Sequence, residues 1–354
     1  MAKNGPGSVT GGNPGRVLGA LFAGGPASRA ALARGLALTR AALTELVAGL
    51  MAAGLVEESE SEIPAGRGRP GQLLRLCPGA AHFVGLEIGV NRLVAAVIDL
   101  GGAVCARLER RGPLSGLPEQ EVLRRAALLV ARACARARIA LPTGGLGVSV
   151  PGFMTREGVV LAAPQLGWRD VDLLRALRRH FACPLAAEND ANATAHGEWH
   201  FVPAHRDGDL LAVVLTDGVG CGLVADGRLL RGAHGLAGEL GHMPALQGEP
   251  TSWEGRAGRA AMRRGVPRDW PARLAAGLAA AIYAYDPKTV VIAGELTAEF
   301  VARQARVEAE LRALLVPGFP MPLLTPARFG ADGCAIGAAS LLHARFLERA
   351  GAPG

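Results

Sequence analysis

The sequence predicts an α/β protein that carries a separate helical segment at its N-terminus. Residues 13–56 consist almost entirely of helix formers, with apolar residues at helical spacing. From residue 82 onward, short apolar strands alternate with amphipathic helices, which indicates a mixed sheet with helices packed on its faces. A strand–turn–strand opening occurs twice, at 83–100 and at 211–226, and this repetition predicts two related lobes that face each other across a cleft.

Composition excludes several classes of protein. The 354 residues are 50% hydrophobic and 19% charged, and at about 150 residues per domain this length predicts two or three domains. There is no Gly-X-Y period, and the apolar runs are shorter than the ~20 residues that a membrane helix needs. The N-terminus lacks the apolar core of a signal peptide, so we expect a cytoplasmic protein with no membrane partner.

The net charge and the cysteine content do not identify the binding partner of the protein. The net charge is +7, which permits nucleic-acid binding without establishing it. Only two of the basic residues, Lys3 and Lys288, are lysines. The six cysteines are scattered and form no C-x-x-C pair, so we expect reduced thiols rather than disulfides or a zinc ribbon.

Residues 13–78 have the pattern of a winged helix-turn-helix, preceded by a Gly-rich tail (1–12) that we expect to be disordered. Ser28 and Thr39 stand where the second and third helices begin, and their hydroxyls can accept hydrogen bonds from the free amides of the first turn. Gly54 stands where the third helix would end. Two short strands then flank a Gly-rich wing tip, at 55–57 and 72–76.

The candidate DNA contacts lie on the third helix and in the wing. A helix-turn-helix places its second helix in the major groove, with Thr39, Arg40 and Thr44 at the outward end here. Arg40 can pair with guanine or phosphate, and Thr44 can touch a phosphate or a thymine methyl. Arg67 and Arg69 lie among glycines, where a guanidinium can enter a narrow minor groove.

Two acidic features oppose DNA binding by this segment. Glu45 lies on the outward face of the third helix, and an acidic run begins beside the wing at Glu57 and Glu58 and continues through Glu60 and Glu62. DNA phosphates would repel these carboxylates unless the wing directs them away. The alternative is a small helical module for dimerisation or for covering the cleft.

Two further patterns are typical of polyol recognition. Glu188, Asn189 and Asp190 come at a strand end, where a carboxylate can accept a proton from a hydroxyl and an amide can hold a second hydroxyl. The alternative for this tripeptide is helix N-capping. Glu239 and His242 are three residues apart, so they share one face of a short helix and can reach the same polyol; a surface ion pair is the alternative.

The remaining patterns are weak evidence for a phosphate or metal site. Gly218, Gly220 and Gly222 after an apolar strand allow backbone amides to approach a phosphate, but Gly-rich hairpin turns are common. His196 and His200 have the i, i+4 spacing of a zinc pair but lack an obvious third ligand. No G-x-x-x-x-G-K-[ST] segment is present, which excludes a P-loop kinase.

Together these segments resemble the ROK family of repressors, open reading frames and sugar kinases. The resemblance runs from about residue 13 to 348 and is carried by the helical segment, the wing and five motifs: VGLEIG (84–89), GVSVPG (147–152), AENDANATAHGE (187–198), DGRLLRGAHGLAGELGHM (226–243) and CAIGAASLL (334–342). It implies two actin-like ATPase (RNase H-like) lobes with a sugar in the cleft between them. The lobes would comprise 79–200 with the helix 334–349, and 201–333.

The resemblance also implies roles for individual residues. Asn189 and Asp190 would contact sugar hydroxyls, and Asp190 matches the catalytic base of the family's kinases. Glu239 and His242 would also bind sugar, and Gly152 would line the cleft. Members with an N-terminal winged helix are sugar-responsive transcriptional regulators that form dimers or tetramers, whereas members without it are sugar kinases.

The nucleotide-binding motifs depart from the family pattern. The first phosphate loop usually reads D-x-G-G-T and here runs from Glu87 through Gly89 to Asn91, so a glycine and a hydroxyl are lost. The second usually reads G-T-G-x-G and here contains Asp217, Gly218 and Gly220. A carboxylate ~4 Å from a phosphate costs on the order of several kcal/mol at an effective dielectric near 20. The adenosine-side motif, normally Gly-rich, is Ala293-Gly294-Glu295, so we expect lost or very weak kinase activity and no cofactor.

The family's zinc motif is also altered. It consists of a His followed by C-x-C-G-x-x-G-C-x-E, and the matching stretch, 252–261, keeps both glycines and replaces all three cysteines. With only His242 left, a tetrahedral site cannot form from these residues, so we expect no metal. Ala261 replaces the acidic sugar ligand that ends the motif, and the loss of one charged contact costs ~1.5–3 kcal/mol.

Three functional hypotheses follow. The first is a DNA-binding transcriptional regulator, a repressor of carbohydrate-related genes, with a double-stranded DNA operator, a sugar-type effector and a homodimer or homotetramer as its assembly. The second is an ATP-dependent sugar kinase with an appended DNA-binding module, in which Asp190 would be catalytic. The third is a protein whose cleft no longer responds to sugar.

Overall fold

A computed structural model of the chain describes residues 13–59, 72–140, 142–244, 252–263 and 265–349. The tail 1–12 and the wing-tip residues Arg67 and Arg69 lie outside the described residues, so the predictions made for them stay predictions. The described part consists of an N-terminal unit of three helices and a small sheet, followed by two five-stranded sheets with helices between and around them.

The N-terminal unit follows the predicted order of helices and strands. Its three-stranded antiparallel sheet has the order β1-β3-β2. Its elements in chain order are α1 (Asn13–Gly24), β1 (Ala27–Ser28), α2 (Arg29–Gly35), α3 (Arg40–Ala52), β2 (Val56–Ser59) and β3 (Leu73–Leu76).

The caps predicted from the sequence are confirmed. The Ser28 hydroxyl accepts from the Ala31 N–H, and the Thr39 hydroxyl accepts from the Ala42 N–H, each at 3.2 Å. Gly54 follows α3 with a φ of +69°, a left-handed conformation that an L side chain would strain. The axes of α2 and α3 differ by 114° across the short turn between them, which lies within the 90–120° range of helix-turn-helix pairs.

The helices of the described part were also compared with the requirements of a membrane span. None of them is by itself both long enough and apolar enough to cross a bilayer. The pair α2 and α3 passes on length and composition together, but with the 114° bend between its halves.

The first five-stranded sheet has the order β11-β7-β4-β5-β6. A separate three-stranded sheet has the order β10-β9-β8, and its strand β8 contacts β11. The elements of this part are β4 (His82–Ile88), β5 (Arg92–Asp99), β6 (Val104–Arg111), α4 (Glu119–Arg136), β7 (Gly145–Val150), β8 (Phe153–Met154), β9 (Val159–Ala163), β10 (Trp168–Asp172), α5 (Leu173–Leu177), β11 (Leu185–Asn189) and α6 (Asp190–Phe201).

The second five-stranded sheet has the order β14-β13-β12-β15-β16. In both sheets the first strand is central, the next two strands run antiparallel as a meander, and the last two run parallel to the first. The elements are β12 (Leu210–Leu215), β13 (Val219–Ala225), β14 (Arg228–Leu229), α7 (Trp253–Ala257), α8 (Trp270–Tyr285), β15 (Thr289–Ala293), α9 (Thr297–Val301), α10 (Gln304–Leu314), β16 (Leu323–Pro326) and α11 (Gly333–Arg349).

Helices α6 and α11 form the layer between the two sheets. Helix α11 packs on β4 and β7 of the first sheet, while α6 packs on β12 and β13 of the second and against α11 itself. Glycines permit this close approach: a Cβ at Gly147 would lie 1.8 Å from the Ala338 carbonyl oxygen, and one at Gly222 would lie 2.4 Å from that of Ala191. The two helices therefore connect the sheets directly, backbone against backbone.

Two parts of the structure differ from the predicted secondary structure. The sequence predicts a helix over 171–181, but residues up to Asp172 pair with β9 as strand β10, and only α5 is helical. The predicted helix 297–314 is two helices, α9 and α10, because the chain leaves helical geometry at Arg303, where φ is −129°. The first difference depends on the pairing of β10 with β9, which helical periodicity does not report.

Candidate functional site

A cleft lies at the carboxyl ends of the parallel strands in both large sheets. Glu87 lies near the end of β4 and Asp190 follows β11 in the first sheet, while Asp217 follows β12 and Glu295 comes soon after β15 in the second. Parallel strands end at a common edge, so these four carboxylates gather around one space. That space measures about 630 Å³, part of which is open to solvent.

Asp190 occupies the first turn of α6 inside this cleft. Its side chain is half-buried, and its Oδ1 atom accepts a hydrogen bond of 2.8 Å from the Ala191 N–H. Burial raises the pKa of Asp190 from 3.8 to about 6, although the backbone hydrogen bonds oppose the shift. A carboxylate with this pKa is suited to exchange a proton with a hydroxyl near neutral pH.

Asn189 serves as the N-cap of α6. Its Oδ1 atom accepts from the N–H groups of Ala191, at 2.9 Å, and Asn192, at 3.3 Å, and its Nδ2 atom donates to the Gly152 carbonyl at 2.9 Å. The capping interpretation of the tripeptide therefore holds for this side chain. The contact also fixes the turn at Gly152, whose φ of +106° requires glycine, next to the start of α6.

Glu239 and His242 form a cluster with Glu254. The His242 imidazole lies 3.7 Å from a Glu239 oxygen through Nε2 and 3.3 Å from a Glu254 oxygen through Nδ1. Burial raises the pKa of Glu239 to about 7; His242 lowers it, and the charges of Asp190 and Glu254 raise it further. The His242 ring also lies 5.7 Å from the ring of Phe153, which follows the Gly152 turn that Asn189 contacts, so the two predicted sugar-binding segments lie next to each other.

Sequence reasoning did not identify Glu254 as a site residue. The signal was its place in the altered zinc motif, where it replaces the second cysteine. The residues at the other cysteine positions have different roles: the Ser252 hydroxyl caps α7 by accepting from the Gly255 N–H, and Arg259 is a cation in an ion pair with Asp217. A zinc ion does not fit this set of side chains, because only His242 is a soft or borderline ligand.

The described residues were also examined for other metal sites. Within them no group of three or more His, Cys, Asp or Glu side chains has the arrangement that could hold a metal ion. His196 and His200 make separate buried hydrogen bonds, His196 with the Ser340 hydroxyl at 2.6 Å and His200 with His343 at 2.8 Å. Both rings are therefore used in packing between α6 and α11.

Arg259 forms ion pairs with two carboxylates on the side of the cleft that the second five-stranded sheet provides. Its guanidinium lies 3.4 Å from Asp217 and also forms an ion pair with Glu295. Its backbone N–H donates to the Thr216 carbonyl at 3.0 Å, which holds it beside the second phosphate loop. Sequence reasoning expected Asp217 to repel phosphate, but it missed the arginine, which stands at the third cysteine position of the zinc motif.

The first phosphate loop is closed by a salt bridge of similar kind. Arg92 donates to both carboxylate oxygens of Glu87, at 2.8 and 3.1 Å, and to the Ala331 carbonyl at 2.8 Å. Burial raises the pKa of Glu87 to about 7 against the opposing effect of Arg92. Gly89 and Asn91 form the β4–β5 turn between these two residues and also line the cleft.

The glycines of the second phosphate loop lie against the sugar-side residues. A Cβ at Gly218 would lie 2.7 Å from a Glu254 oxygen, and one at Gly220 would lie 3.0 Å from the Ala191 Cβ. Of the predicted residues, Glu87, Gly89, Asn91, Asp190 and Asp217 line the cleft itself, while Gly152, Asn189, Gly218, Gly220, Glu239 and His242 are not among its lining residues.

The outward face of α3 presents one free cation. Thr39, Arg40 and Thr44 are all exposed, as predicted. The Thr39 hydroxyl is used in the cap, and the Thr44 hydroxyl donates to the Arg40 carbonyl at 2.8 Å. The Arg40 guanidinium has no hydrogen-bond or ion-pair partner among the residues that the structure describes, so it is available to an external ligand.

The described part of the acidic run is paired with arginines. Glu57 lies 2.8 Å from Arg75 on the neighbouring strand, and Glu58 lies 2.5 Å from Arg29 at the start of α2. These pairs offset the repulsion that the run would exert on a polyanion. Glu60 and Glu62 fall outside the described residues.

Comparison with known proteins identifies the family. The family model described as "ROK family" matches residues 83–260 and 266–345, which is well over half of the chain. The chain belongs to the ROK family. The expectation drawn from the motifs is thereby confirmed.

Curated ROK proteins with similar sequences include repressors and kinases. The xylose repressor of Bacillus subtilis is 29% identical over 224 residues, 62% of this chain and 56% of that protein. The putative xylose repressor of a Caldicellulosiruptor species is 32% identical over 219 residues, 61% of this chain and 54% of that protein. The glucokinase of Streptomyces coelicolor is 29% identical over 161 residues, 45% of this chain and 49% of that protein. The chain thus spans about half the length of these relatives.

Solved structures share the fold. A ROK family transcriptional regulator, described as a homologue of the Escherichia coli MLC protein, matches with a TM-score of 0.76 and 22% identity over 96% of this chain and 97% of that one. A ROK hexokinase from Thermus thermophilus matches with a TM-score of 0.62 and 27% identity over 75% of this chain and 98% of that one. The fold is therefore the mixed α/β fold common to regulators and kinases of the family.

Proposed function

We propose that this ROK protein is a DNA-binding transcriptional regulator, a repressor of carbohydrate-related genes, whose effector is a sugar or sugar derivative held in the cleft. Residues 13–78 would form the winged helix-turn-helix, with α3 as the recognition helix. The lobes would comprise 79–200 with 334–349, and 201–333. The protein would act as a homodimer or homotetramer on a double-stranded operator.

One observation carries this proposal: α6 extends from the cleft to the N-terminal unit. It begins at Asp190 and ends at Phe201, and near that end His200 stacks on Phe22 of α1 with ring centroids 5.0 Å apart. Helix α11 reaches the same place, because a Cβ on Gly15 of α1 would lie 2.5 Å from the Leu347 carbonyl oxygen. A ligand that moves the start of α6 therefore acts on a helix in direct contact with the DNA-binding unit.

This geometry supports a switch in which the effector changes the distance between two recognition helices and so changes operator affinity. Paired recognition helices occupy successive major grooves only when they are about 34 Å apart or at multiples of that distance. A cleft ligand that binds one lobe arrangement more tightly would shift the population toward it. A small rotation of each N-terminal unit would then change its affinity for the operator.

The experiment that tests this function is a footprint of the purified protein on the DNA upstream of its own gene, at moderate salt. We expect a protected site and, for Arg40→Gln, an affinity lower by about tenfold or more, the loss typical of one arginine contact to a base. Arg132→Gln, on the exposed face of α4, removes the same charge and should leave the affinity unchanged. The absence of a footprint above non-specific binding would refute the proposal.

The effector is tested separately by thermal shift with pentoses, hexoses, amino sugars and sugar phosphates. A ligand at 100 times its dissociation constant stabilises a protein by ~2.7 kcal/mol. Asp190→Asn should abolish the shift, and the same sugar should change the footprint. No shift with any of these sugars would support the third hypothesis, in which the cleft no longer responds to sugar and DNA binding is constitutive or governed by a partner.

A sugar kinase is the second candidate, favoured by the retained carboxylate of Asp190 with its pKa of about 6. It predicts sugar-dependent ADP release that Asp190→Asn abolishes. The Arg259 ion pairs with Asp217 and Glu295 argue against it, since these groups occupy the nucleotide side of the cleft. We expect neither the natural protein nor Arg259→Gln to release ADP, and sugar-dependent turnover in either would favour the kinase.

A further inference from the structure

A second cavity of about 600 Å³, part of which is open to solvent, lies outside the cleft and shares none of its lining residues. It is bordered by Ala187 and Glu188 of β11, by Leu341 and Arg345 of α11, and by three further residues: Arg156, Leu229 and Arg231. It therefore spans elements of the first sheet, the helical layer and strand β14 of the second sheet. Nothing in the proposed function uses it.

The lining of this cavity is strongly cationic. Three arginines (Arg156, Arg231 and Arg345) face one carboxylate, Glu188, which leaves a net charge of +2. The pKa of Arg345 is held below its usual range by partial burial and by the charges of Arg231 and Arg349, against Glu188 and Glu348. Arg156 and Arg345 are exposed, so water screens part of this repulsion, and an anion that joins the three cations removes the rest.

The three guanidiniums are only partly used by the protein. Arg231 donates through Nε to Glu188 at 2.7 Å, and Arg156 donates one N–H to the Gly232 carbonyl at 2.6 Å. Arg345 makes no hydrogen bond or ion pair with the residues that the structure describes. Several N–H donors on three planar forks therefore remain free around one space, and this is the arrangement that binds oxyanions with paired hydrogen bonds.

We propose that this cavity is a binding site for a small molecule that bears a phosphate group. The net charge of +2 on the cavity lining favours a phosphate group over a single carboxylate. A phosphomonoester carries about −1.5 to −2 at neutral pH and so matches that charge. The volume exceeds that of the phosphate alone, so either inorganic phosphate or a small organic phosphate fits. The inference is independent of the proposed regulatory function.

Occupancy of this site has a structural consequence for the cleft. Glu188, the partner of Arg231, also accepts from the Asn189 N–H at 3.0 Å and from the Asn192 amide at 3.2 Å. A phosphate that takes donors from Arg231 weakens its hold on Glu188 and acts on the segment that begins α6. It also joins α11 to the end of β14, so it favours a particular arrangement of the two sheets.

The test is isothermal titration calorimetry of the full chain in a phosphate-free and sulfate-free buffer at constant ionic strength. The probes are inorganic phosphate, glycerol 3-phosphate and glycerol. We expect one or both anions to bind and glycerol to give no heat; the anion that binds tells which source of phosphate the site takes. The absence of binding by both anions at millimolar concentration, where the binding free energy falls to about −4 kcal/mol, would overturn the proposal.

Substitutions of the arginines that line the cavity test whether phosphate binds there. Arg345→Gln and Arg156→Gln should each weaken phosphate binding by about 10-fold to 100-fold, the effect of losing one charged hydrogen-bond donor. Arg132→Gln is the matched control and should bind phosphate as the natural protein does. Circular dichroism and the unfolding transition would establish that each variant is folded. Equal phosphate affinity in Arg345→Gln and the natural protein would overturn the assignment, even if that variant bound DNA more weakly.

Discussion

The imidazoles of His200 and His343 share a hydrogen bond of 2.8 Å between helices α6 and α11. His343 Nε2 lies 3.0 Å from the Leu100 carbonyl oxygen, which can only accept, so this nitrogen donates. Burial lowers the pKa of both rings, that of His343 to about 4, so both are neutral at pH 7. His343 Nδ1 is therefore the acceptor, and His200 Nε2 donates to it. Phe22 of α1 packs on both rings, at 5.0 and 4.7 Å.

The losses of stability on replacing the two histidines should not add. His200→Phe or His343→Phe leaves a nitrogen of the other ring without its partner, which costs about 1–3 kcal/mol. The double variant removes both nitrogens of this hydrogen bond, and the Leu100 carbonyl loses its donor in His343→Phe and in the double variant alike, so the sum of the two single losses should exceed the double loss by about 1 kcal/mol or more. Urea unfolding of the four proteins measures this difference. Strictly additive losses would mean that the hydrogen bond contributes nothing.

Truncation of Phe22 should separate the effector response from DNA binding. Phe22→Ala removes the ring that joins α1 to His200 and to Arg206, whose guanidinium lies 4.8 Å from the ring centroid. We expect a stability loss of roughly 1–3 kcal/mol, below that of a fully buried Phe, and retained operator binding with a smaller change on addition of sugar. Fluorescence anisotropy with labelled operator measures both affinities. Phe181→Ala, a half-buried Phe packed in the core of the first sheet, is the control and should keep the full response.

Asp190→Asn should stabilise the protein in a pH-dependent way. The folded-state pKa of Asp190 is raised from 3.8 to about 6, so the folded protein binds this proton more tightly than the unfolded chain does. The ionised form therefore lowers stability above pH 3.8, and the full cost, about 3 kcal/mol, is reached above pH 6. The variant should gain most at pH 8 and lose the gain as the pH falls toward 4.

Thermal unfolding of the variant and the natural protein at pH 4, 6 and 8 measures the effect of Asp190. The difference between the two proteins leaves out the contributions of Glu87 and Glu239 to the pH dependence, except for the part of their raised pKa values that the Asp190 charge itself causes. Glu157→Gln, at an exposed carboxylate, should give no such pH-dependent gain. A gain that does not change with pH would contradict the buried, proton-binding state of Asp190.

The stability of the segment around the altered zinc motif should depend on the packing of Trp253 and not on a bound metal. Trp253 is 3% exposed, and its ring covers Gly277 of α8, where a Cβ would lie 1.9 Å from it. Trp253→Ala should lower the free energy of unfolding by about 3–5 kcal/mol. Ser252→Ala removes only the cap of α7 and should cost about 1 kcal/mol.

Removal of metal ions with a chelator tests whether the stability of the same segment depends on zinc. Dialysis against EDTA should leave the melting temperature unchanged, because the side chains at the former cysteine positions cannot hold zinc. A fall in melting temperature that zinc reverses would contradict this expectation.

Local features of the fold were predictable from the sequence. The caps Ser28 and Thr39 and the glycine at 54 depend on hydrogen bonds and backbone angles within a few residues, so their residue types are informative. The repeated strand–turn–strand opening predicted two related lobes, and the two five-stranded sheets have the same topology. Glu87, Gly89, Asn91, Asp190 and Asp217, which the motifs singled out, line one cleft, and the roles predicted for them stay predictions.

Residues whose roles depend on distant partners were missed. Arg259 pairs with Asp217 and Glu295, each more than thirty residues away in the chain, and no periodicity marks it. Glu254 became visible only through its contact with His242. The helix predicted over 171–181 failed because pairing with β9 makes its beginning a strand.

By itself, the sequence determined the class of the protein, the order of most of its helices and longer strands, and the residue types available in the cleft, since apolar spacing, capping residues and short motifs are local properties. Only the tertiary structure decided which charges neutralise each other and which helices connect the cleft with the N-terminal unit. His200 and His343 lie 143 residues apart and meet only when α6 and α11 pack. Burial then removes water from such pairs, and this loss of water, rather than residue type alone, fixes their protonation and their partners.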